Sequence, residues 1–314
     1  MRHKCGLGHS ENNTEQLLRR AFMRMNDTCV ACMRQSQHNL APKDSPIETR
    51  RAFFKEIDEI LATMPTDVAS PWLVPVFTEA FNRHFSIPDP YVEIRRRSNE
   101  MALRLLPRLE AALDAAENKL SSALAISRLG NYLDFAILSA EEAEGKLNEA
   151  LEKPENYSIP ENELAPFRCE LEKAESLLII GDNAGEIVFD IVLIKALKAL
   201  YPKLRVIYGV RGAVSQNDST REDADFVGMG NYAEVVDSGS AIPGTDLRYC
   251  SEEFIKVIHS SDLILAKGMG NFETLSGGDI PVYYLFICKC KRIAEHLNLP
   301  LFTGVLYKEP LAEK

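Results

Sequence analysis

The sequence predicts an α/β protein, with a mainly parallel sheet in a three-layer α/β/α domain preceded by a multi-helical subdomain. Three observations predict it. Between Ser176 and Val305, five short runs rich in Ile, Leu and Val alternate with helical patterns, the signature of a parallel sheet flanked by helices. Between residues 45 and 151 the apolar residues recur only at helical spacing. Polar residues gather at the carboxyl ends of several strand-like runs, where open α/β sheets bind ligands. The expected division is 1–26, a flexible extension; 27–163, the helical subdomain; and 164–314, the α/β domain.

Taken in order, residues 1–24 are polar and carry Asn12-Asn13 and several charges, with no apolar stretch that reads as a signal peptide. Helical spacing then covers Ile47 to Met64, Val76 to Phe85, Tyr91 to Ala115 and Leu120 to Leu129, punctuated by Pro71, Pro75, Pro88 and Pro90. Glu141 to Leu151 continues the pattern, and Glu152 to Glu163 reads as a polar linker. The first strand is the run from Ser176 to Gly181, followed by Asp182-Asn183-Ala184-Gly185-Glu186 and an apolar helical run from Ile187 to Leu200. The acid and the amide stand where the strand stops. That suggests an oxygen-ligand site for a hard divalent cation. The same residues read equally well as a helix start, with Asn183 as N-cap and Glu186 as the third residue of a capping box.

The second strand, Leu204 to Val210, runs into a loop carrying Asp218, with Ser219 or Thr220 as the cap of a short helix. The third is Ala233 to Asp237. The fourth, Asp262 to Lys267, ends in Gly268-Met269-Gly270-Asn271-Phe272-Glu273. A helix is expected from Tyr283 to Leu297, and a fifth strand over Pro300 to Val305. In a parallel sheet these carboxyl ends share one edge, so Asp182, Asn183, Asp218 and Lys267 can converge. Two carboxylates and an amide suit a divalent ion. Lys267 on a glycine-flanked loop reads as a mobile positive charge, the equipment for holding a phosphoryl group and stabilising its transition state.

Five tracts in this order resemble one family, long catalogued as domain of unknown function eighty-nine and described as metal-dependent damage-control phosphatases. They are Cys29-Val30-Ala31-Cys32-Met33-Arg34-Gln35, Gly130-Asn131-Tyr132-Leu133-Asp134-Phe135, Gly181 to Glu186, Arg211 to Asp218, and Lys267 to Glu273. The first two resemble its prokaryotic-type branch. The resemblance runs from about Asp27 to Tyr307. It implies a phosphatase for phosphomonoesters of small metabolites, sugar phosphates or damaged phosphometabolites, dependent on Mn, Co, Ni or Mg. It implies a metal held by Asp182, Asn183 and Asp218, phosphate contact by Lys267, and a pocket lined by Asn271 and by Asn131 with Asp134, which share a helix face at i and i+3. Glu186 and Glu273 are candidates for general acid–base work or for support of the ligands. Arg34 is a candidate phosphate or inter-domain contact. The nucleophile is either water or the carboxylate of Asp182. One departure is Ala213, where proline is expected two residues after Arg211; it touches loop stiffness only.

Composition agrees. The 314 residues are 46% hydrophobic and 26% charged, with a net charge of -10 and a pI near 5.3, which argues against nucleic acid or an anionic membrane as main partner. No apolar run is long enough to span a bilayer. A cytoplasmic protein is expected, and its oligomeric state is left open. Seven cysteines without framework spacing read as reduced thiols. Cys29 and Cys32 lack the second pair of a zinc site and the preceding strand of a redox motif, so they read as structural thiols; Cys288 and Cys290 read as core.

Other classes fit less well. A dinucleotide-binding oxidoreductase wants Gly-x-Gly-x-x-Gly after the first strand, and a dehalogenase-type phosphatase wants a strand-end Asp-x-Asp. A Ser-His-Asp triad is not apparent: His259 and His296 precede strands. A carboxyl methyltransferase using a methyl-sulfonium nucleoside cofactor is the alternative that Asp and Gly near strand ends also suit.

Overall fold

The computed structural model describes residues 23–65, 67–132, 139–152 and 158–309. Twelve α-helices and six strands lie in these segments. The helices of the first half are α1 (Asp27–Leu40), α2 (Ile47–Thr63), α3 (Leu73–Phe85), α4 (Val92–Ala115), α5 (Lys119–Tyr132), α6 (Ala140–Glu152) and α7 (Glu161–Leu171). The second half runs β1 (Ser176–Ile180), α8 (Glu186–Leu200), β2 (Arg205–Val210), α9 (Arg221–Phe226), β3 (Glu234–Asp237), α10 (Glu252–Ser260), β4 (Leu263–Lys267), α11 (Gly268–Leu275), β5 (Tyr283–Ile287), α12 (Lys291–Leu297) and β6 (Gly304–Lys308). No helix of the described residues is long and apolar enough to cross a membrane.

The strands form one sheet in the order β3-β2-β1-β4-β5-β6, parallel except for the β5–β6 pair. Strand β1 is flanked by β2 and β4, and the connections leaving it and leaving β4 lead away from each other. This is the switch point at which such sheets open a crevice. The register sets Ile180 level with both Gly209 and Ala266, so the residues just beyond all three strands come out at one edge.

Side chains alternate between two cores. Leu177, Ile179, Tyr208, Leu265 and Leu285 face a layer made by α4, α5, α7 and α8. Leu178, Ile180, Ile207, Ala266 and Phe286 face Phe254, Phe272 and Ile293 on α10, α11 and α12. A third, smaller core joins α1, α2 and α3 around Phe53, Phe77 and Phe81. The first core takes residues from both sides of the boundary expected at 163, from Met101 to Leu306. Met23 and Met25, within the segment expected to be a flexible extension, donate backbone hydrogen bonds to Glu273 (2.8 Å) and Val68 (2.9 Å).

Two expectations need correction. The stretch from Tyr283 to Leu297 is not one helix: Tyr283–Ile287 is the fully buried β5, and α12 starts only at Lys291. A short run buried on both faces cannot be told from a helix by periodicity. The last strand is Gly304–Lys308 and runs antiparallel, later in the chain than Pro300 to Val305. Helix α7, with Pro166 inside it, was not expected from the linker-like composition before it.

Candidate active site

The backbone after β1 and the loop after β2 are tied together directly. Asn183 and Asp218 form an antiparallel bridge; Ala184 N donates to Asn217 O (2.8 Å) and Ser219 N to Asp182 O (2.7 Å). Asp182, Asn183 and Asp218 therefore come together, and all three line one cavity of about 580 Å³ at the carboxyl edge of the sheet. The turn that makes this possible rests on two glycines. Gly185 has φ 83° and precedes α8, and Gly268 has φ 75°, where a Cβ would stand 1.9 Å from Oδ2 of Asp182. The expected cap by Asn183 does not form. Instead Asn99, on α4, accepts from Gly185 N (2.7 Å) and donates to Asp223 (2.8 Å). Thr220 and Asp223 make the capping box that starts α9.

Two amides clamp two carboxylates. Nδ2 of Asn131 donates to Asp182 Oδ2 (3.2 Å) and Glu186 Oε2 (3.0 Å), and Nδ2 of Asn183 donates to the same two oxygens at 2.7 and 3.2 Å. The Asn131 orientation is fixed by Ile287 N, which donates to its Oδ1 (3.0 Å). The Asn183 amide, with its nitrogen so engaged, has its Oδ1 left over. Beneath them lies a buried ion network. Lys267 Nζ reaches Glu186 (2.7 Å), Asp190 (2.6 Å) and Ser127 O (3.3 Å). Asp190 also accepts from Ser127 (2.5 Å) and Tyr208 (2.7 Å). Arg211 donates to Asp218 (2.7 Å) and to Gly181 O (3.1 Å).

Four buried carboxylates, Asp182, Glu186, Asp190 and Asp218, thus face two buried cations, Lys267 and Arg211. The excess is two negative charges. Its effect is visible in the acids. Burial, then Asp218, then Glu186 push the Asp182 carboxyl well above the usual range. Burial raises Asp190 and Asp218 against the pull of Lys267 and Arg211. Burial would lower the Lys267 ammonium, but Asp190 and Glu186 outweigh it and hold it charged.

A divalent cation fits this donor set. Carboxylates and an amide oxygen are hard ligands, and a double positive charge offsets the double negative excess. Among the described residues no three His, Cys, Asp or Glu side chains converge as a ready metal cluster; the candidate set is two carboxylates and the amide of Asn183.

The remaining expected residues divide. Glu273 lines the cavity, with Ser70 bonded to its carboxyl; burial raises its pKa. Asn131 lines it as well. Lys267 does not: it has no exposed surface and stands behind Glu186, so the expected mobile ammonium is a locked one. Asn271 is also fully buried. Its amide binds Lys267 O (2.6 Å), Gly181 O (3.1 Å) and Thr245 (2.8 Å), which ties the strand-end loops together rather than lining the pocket. Arg34 is on the surface, bonded to Asp58 at 2.6 Å. Asp134 falls outside the described residues. Cys29 and Cys32 line the cavity from α1, and Cys290, expected in a helical core, lines it from the loop after β5.

Sequence reasoning missed Asp190, Asn99 and Arg211. Asp190 had a signal, an acid in the middle of the otherwise apolar run from Ile187 to Ile194. Buried acids are rare unless paired.

Comparison with known proteins gives consistent matches. A family model described as the damage-control phosphatase ARMT1-like domain matches residues 25–303. A damage-control phosphatase of Pyrococcus horikoshii is 31% identical over 283 residues, 88% of this chain and 96% of its own length. An uncharacterized protein of Methanocaldococcus jannaschii is 33% identical over 266 residues, 81% of this chain and 85% of its own. A crystal structure of a DUF89 family protein from Pyrococcus horikoshii superposes with a TM-score of 0.78 at 26% identity, covering 91% of this chain and 99% of that one.

Proposed function

The chain belongs to the damage-control phosphatase ARMT1-like family, and from that premise we propose that it is a divalent-metal-dependent phosphatase acting on phosphomonoesters of small metabolites. The observation that carries the proposal is the acid floor: Asp182, Asn183 and Asp218 line one cavity at the switch point of the sheet, over a network with two negative charges in excess. Asp182, Asn183 and Asp218 are the residues that would hold a Mn, Co, Ni or Mg ion. When bound, such an ion supplies Lewis-acid polarisation of a phosphate oxygen.

The chain's own residues supply the rest. Asn131 and Asn183 each donate to Oδ2 of Asp182, which leaves Oδ1 as that carboxylate's free oxygen. An Oδ1 committed as ligand is not free to attack phosphorus, so water is the favoured nucleophile. Glu186 has Oε1 taken by Lys267 and Oε2 by two amides. It holds Asn131 and Asn183 in place and is not poised to move a proton. Lys267 pairs with both Glu186 and Asp190 from behind the floor and fixes their positions. Glu273, on the cavity wall with a raised pKa, is the remaining carboxyl able to give a proton to a leaving oxygen.

A panel of phosphomonoesters assayed against a panel of divalent ions tests the reading. Phosphate release should require a divalent ion, stop with chelator and disappear in Asp182→Asn. Calorimetric titration of the ion into the parent and into Asp182→Asn should show binding lost in the variant. Transfer of a methyl group from a methyl-sulfonium cofactor without phosphate release would replace the reading with a transferase.

A further inference from the structure

The proposed reaction leaves three thiols of its cavity without a task. Cys29 is the third residue of α1, Cys32 stands one turn further on, and Cys290 arrives from the far end of the chain, just before α12; all three line the cavity. All three are free, with Cys32 exposed and the other two half-buried. Cysteines kept for packing alone are buried and inert. These two on α1 do not pack: the helix rests on its small core through Val30, Met33 and Leu40, and neither thiol belongs to that core. The expectation that they are structural therefore finds no support in what they touch.

Cys29 and Cys32 sit in unlike surroundings. Sγ of Cys29 accepts from Nη1 of Arg292 (3.4 Å), and its backbone N–H is held by the N-cap Asn26 (3.1 Å). A guanidinium beside the sulfur and the start of a helix are the setting in which cysteines act as nucleophiles. Cys32 is placed the other way. Burial first, then Cys290, Cys29 and Glu273, push its thiol above the usual range, so it keeps its proton. At i and i+3 the two share one face of the helix. A nucleophilic thiol with a protonated one a turn later is the arrangement of dithiols that exchange with disulfides.

We propose that Cys29 and Cys32 form a thiol–disulfide exchange site on the cavity, with low-molecular-weight disulfides as its substrate. Sγ of Cys29, as its thiolate, attacks one sulfur of the disulfide. That S–S bond breaks, a bond to Cys29 forms, and the other sulfur leaves as a thiolate. Sγ of Cys32 then attacks Sγ of Cys29, and the second thiolate leaves. The two protons of the cysteines end on the two thiols released; the cysteines are oxidised and the disulfide is reduced. Helical residues at i and i+3 carry Cβ atoms about 5–6 Å apart, and a disulfide holds them at about 3.8 Å. The bond therefore tightens the start of α1 and draws Cys29 away from Arg292. The chain just before α1 is fastened by Met25 N to Val68 O and by Met23 N to Glu273 O, so the tightening is passed to the cavity lining at Glu273.

The full chain is equilibrated with oxidised and reduced glutathione over a range of ratios, alkylated and mapped by mass spectrometry. Cys29 and Cys32 should lose their alkylation together and regain it in reduced glutathione. Cys169, exposed on α7 away from the cavity, should stay alkylated at the same ratios. Cys32→Ser should trap glutathione on Cys29, and Cys29→Ser should leave Cys32 alkylated. Cys29 and Cys32 alkylated at every ratio, or modified no sooner than Cys169, would overturn the exchange site. On the phosphatase reading, turnover of phenyl phosphate by the manganese-loaded protein should fall as the bond forms, while in Cys29→Ser it should not follow the glutathione ratio. If the reduced protein releases no phosphate from any phosphomonoester, the phosphatase reading falls and the thiol map decides the exchange site by itself.

Discussion

Lys267 ends a strand with its ammonium group wholly out of water, and that one residue explains much of the site's construction. Its two ion pairs, to Glu186 and Asp190, involve side chains with no exposed surface at all. Breaking such a pair by removing one partner leaves an uncompensated buried charge and costs about 3–5 kcal/mol. Lys267→Met should therefore unfold in urea at a markedly lower midpoint. Its activity loss should not be confined to KM, because the acids it positions would move. The sequence placed Lys267 at the right strand end, because the run Asp262 to Lys267 and the glycines after it are local signals. It did not show the burial, because Asp190 and Glu186 reach Lys267 only after α8 folds onto the sheet. The same holds for Arg211, whose partner Asp218 is seven residues away across a loop, and for Asn131, whose bonds to Asp182, Glu186 and Ile287 reach segments 51 to 156 residues distant.

Elements were legible where their pattern is self-contained. The amphipathic spacing of α2 and α4 marks them nearly from end to end, since each buries one face and leaves the other wet. β5 was not legible, because Tyr283-Tyr284-Leu285-Phe286-Ile287 is covered on both faces and shows no alternation. Helix starts divided the same way. The Thr220–Asp223 box is local and readable; the start of α8 is not, because the N–H of Gly185, which precedes it, is held by Asn99 on another helix. Asn99→Ala removes that bond and a hydrogen bond to Asp223 together. It should cost about 1–3 kcal/mol, the penalty for buried groups left unpaired, measured by urea denaturation, while Asn99→Asp should keep the acceptor for Gly185 N and lose the donor to Asp223. At the start of α11, Gly268→Ala combines a left-handed φ with a Cβ driven into the Asp182 carboxylate. It should abolish activity more completely than it lowers Tm; a fully active Gly268→Ala protein would mean that the Asp182 position is not critical.

At the scale of the molecule, the cavity lies between the small core of α1 to α3 and the sheet edge, and hydrogen bonds of the described residues cross between the two. Ser70 bonds to Glu273, Met23 N to Glu273 O, and Trp72 Nε1 to Tyr249 OH at 2.9 Å. Glu273 is a titratable group at this junction. Burial raises its pKa above the ordinary value of 4.5, with Ser70 and Arg292 pulling the other way. A carboxyl with a raised folded pKa adds stability that is complete below about 4.5 and is lost as pH climbs through the folded value. Glu273→Gln, which keeps an acceptor for Ser70, should therefore gain Tm relative to the parent as pH rises from 4.5 to 8. A Tm difference that stays flat over that range would show that Glu273 is ionised in the fold as readily as outside it.

Three methionines, Met23, Met33 and Met269, line that cavity, beside Val74 and Ile293. Unbranched thioether side chains re-pack at little expense around bodies of different shape. On the phosphatase reading, such a lining would adapt to guests of differing shape. Across phosphomonoesters of differing bulk, kcat/KM should then vary narrowly, and Met33→Ile, which stiffens the lining, should widen the spread.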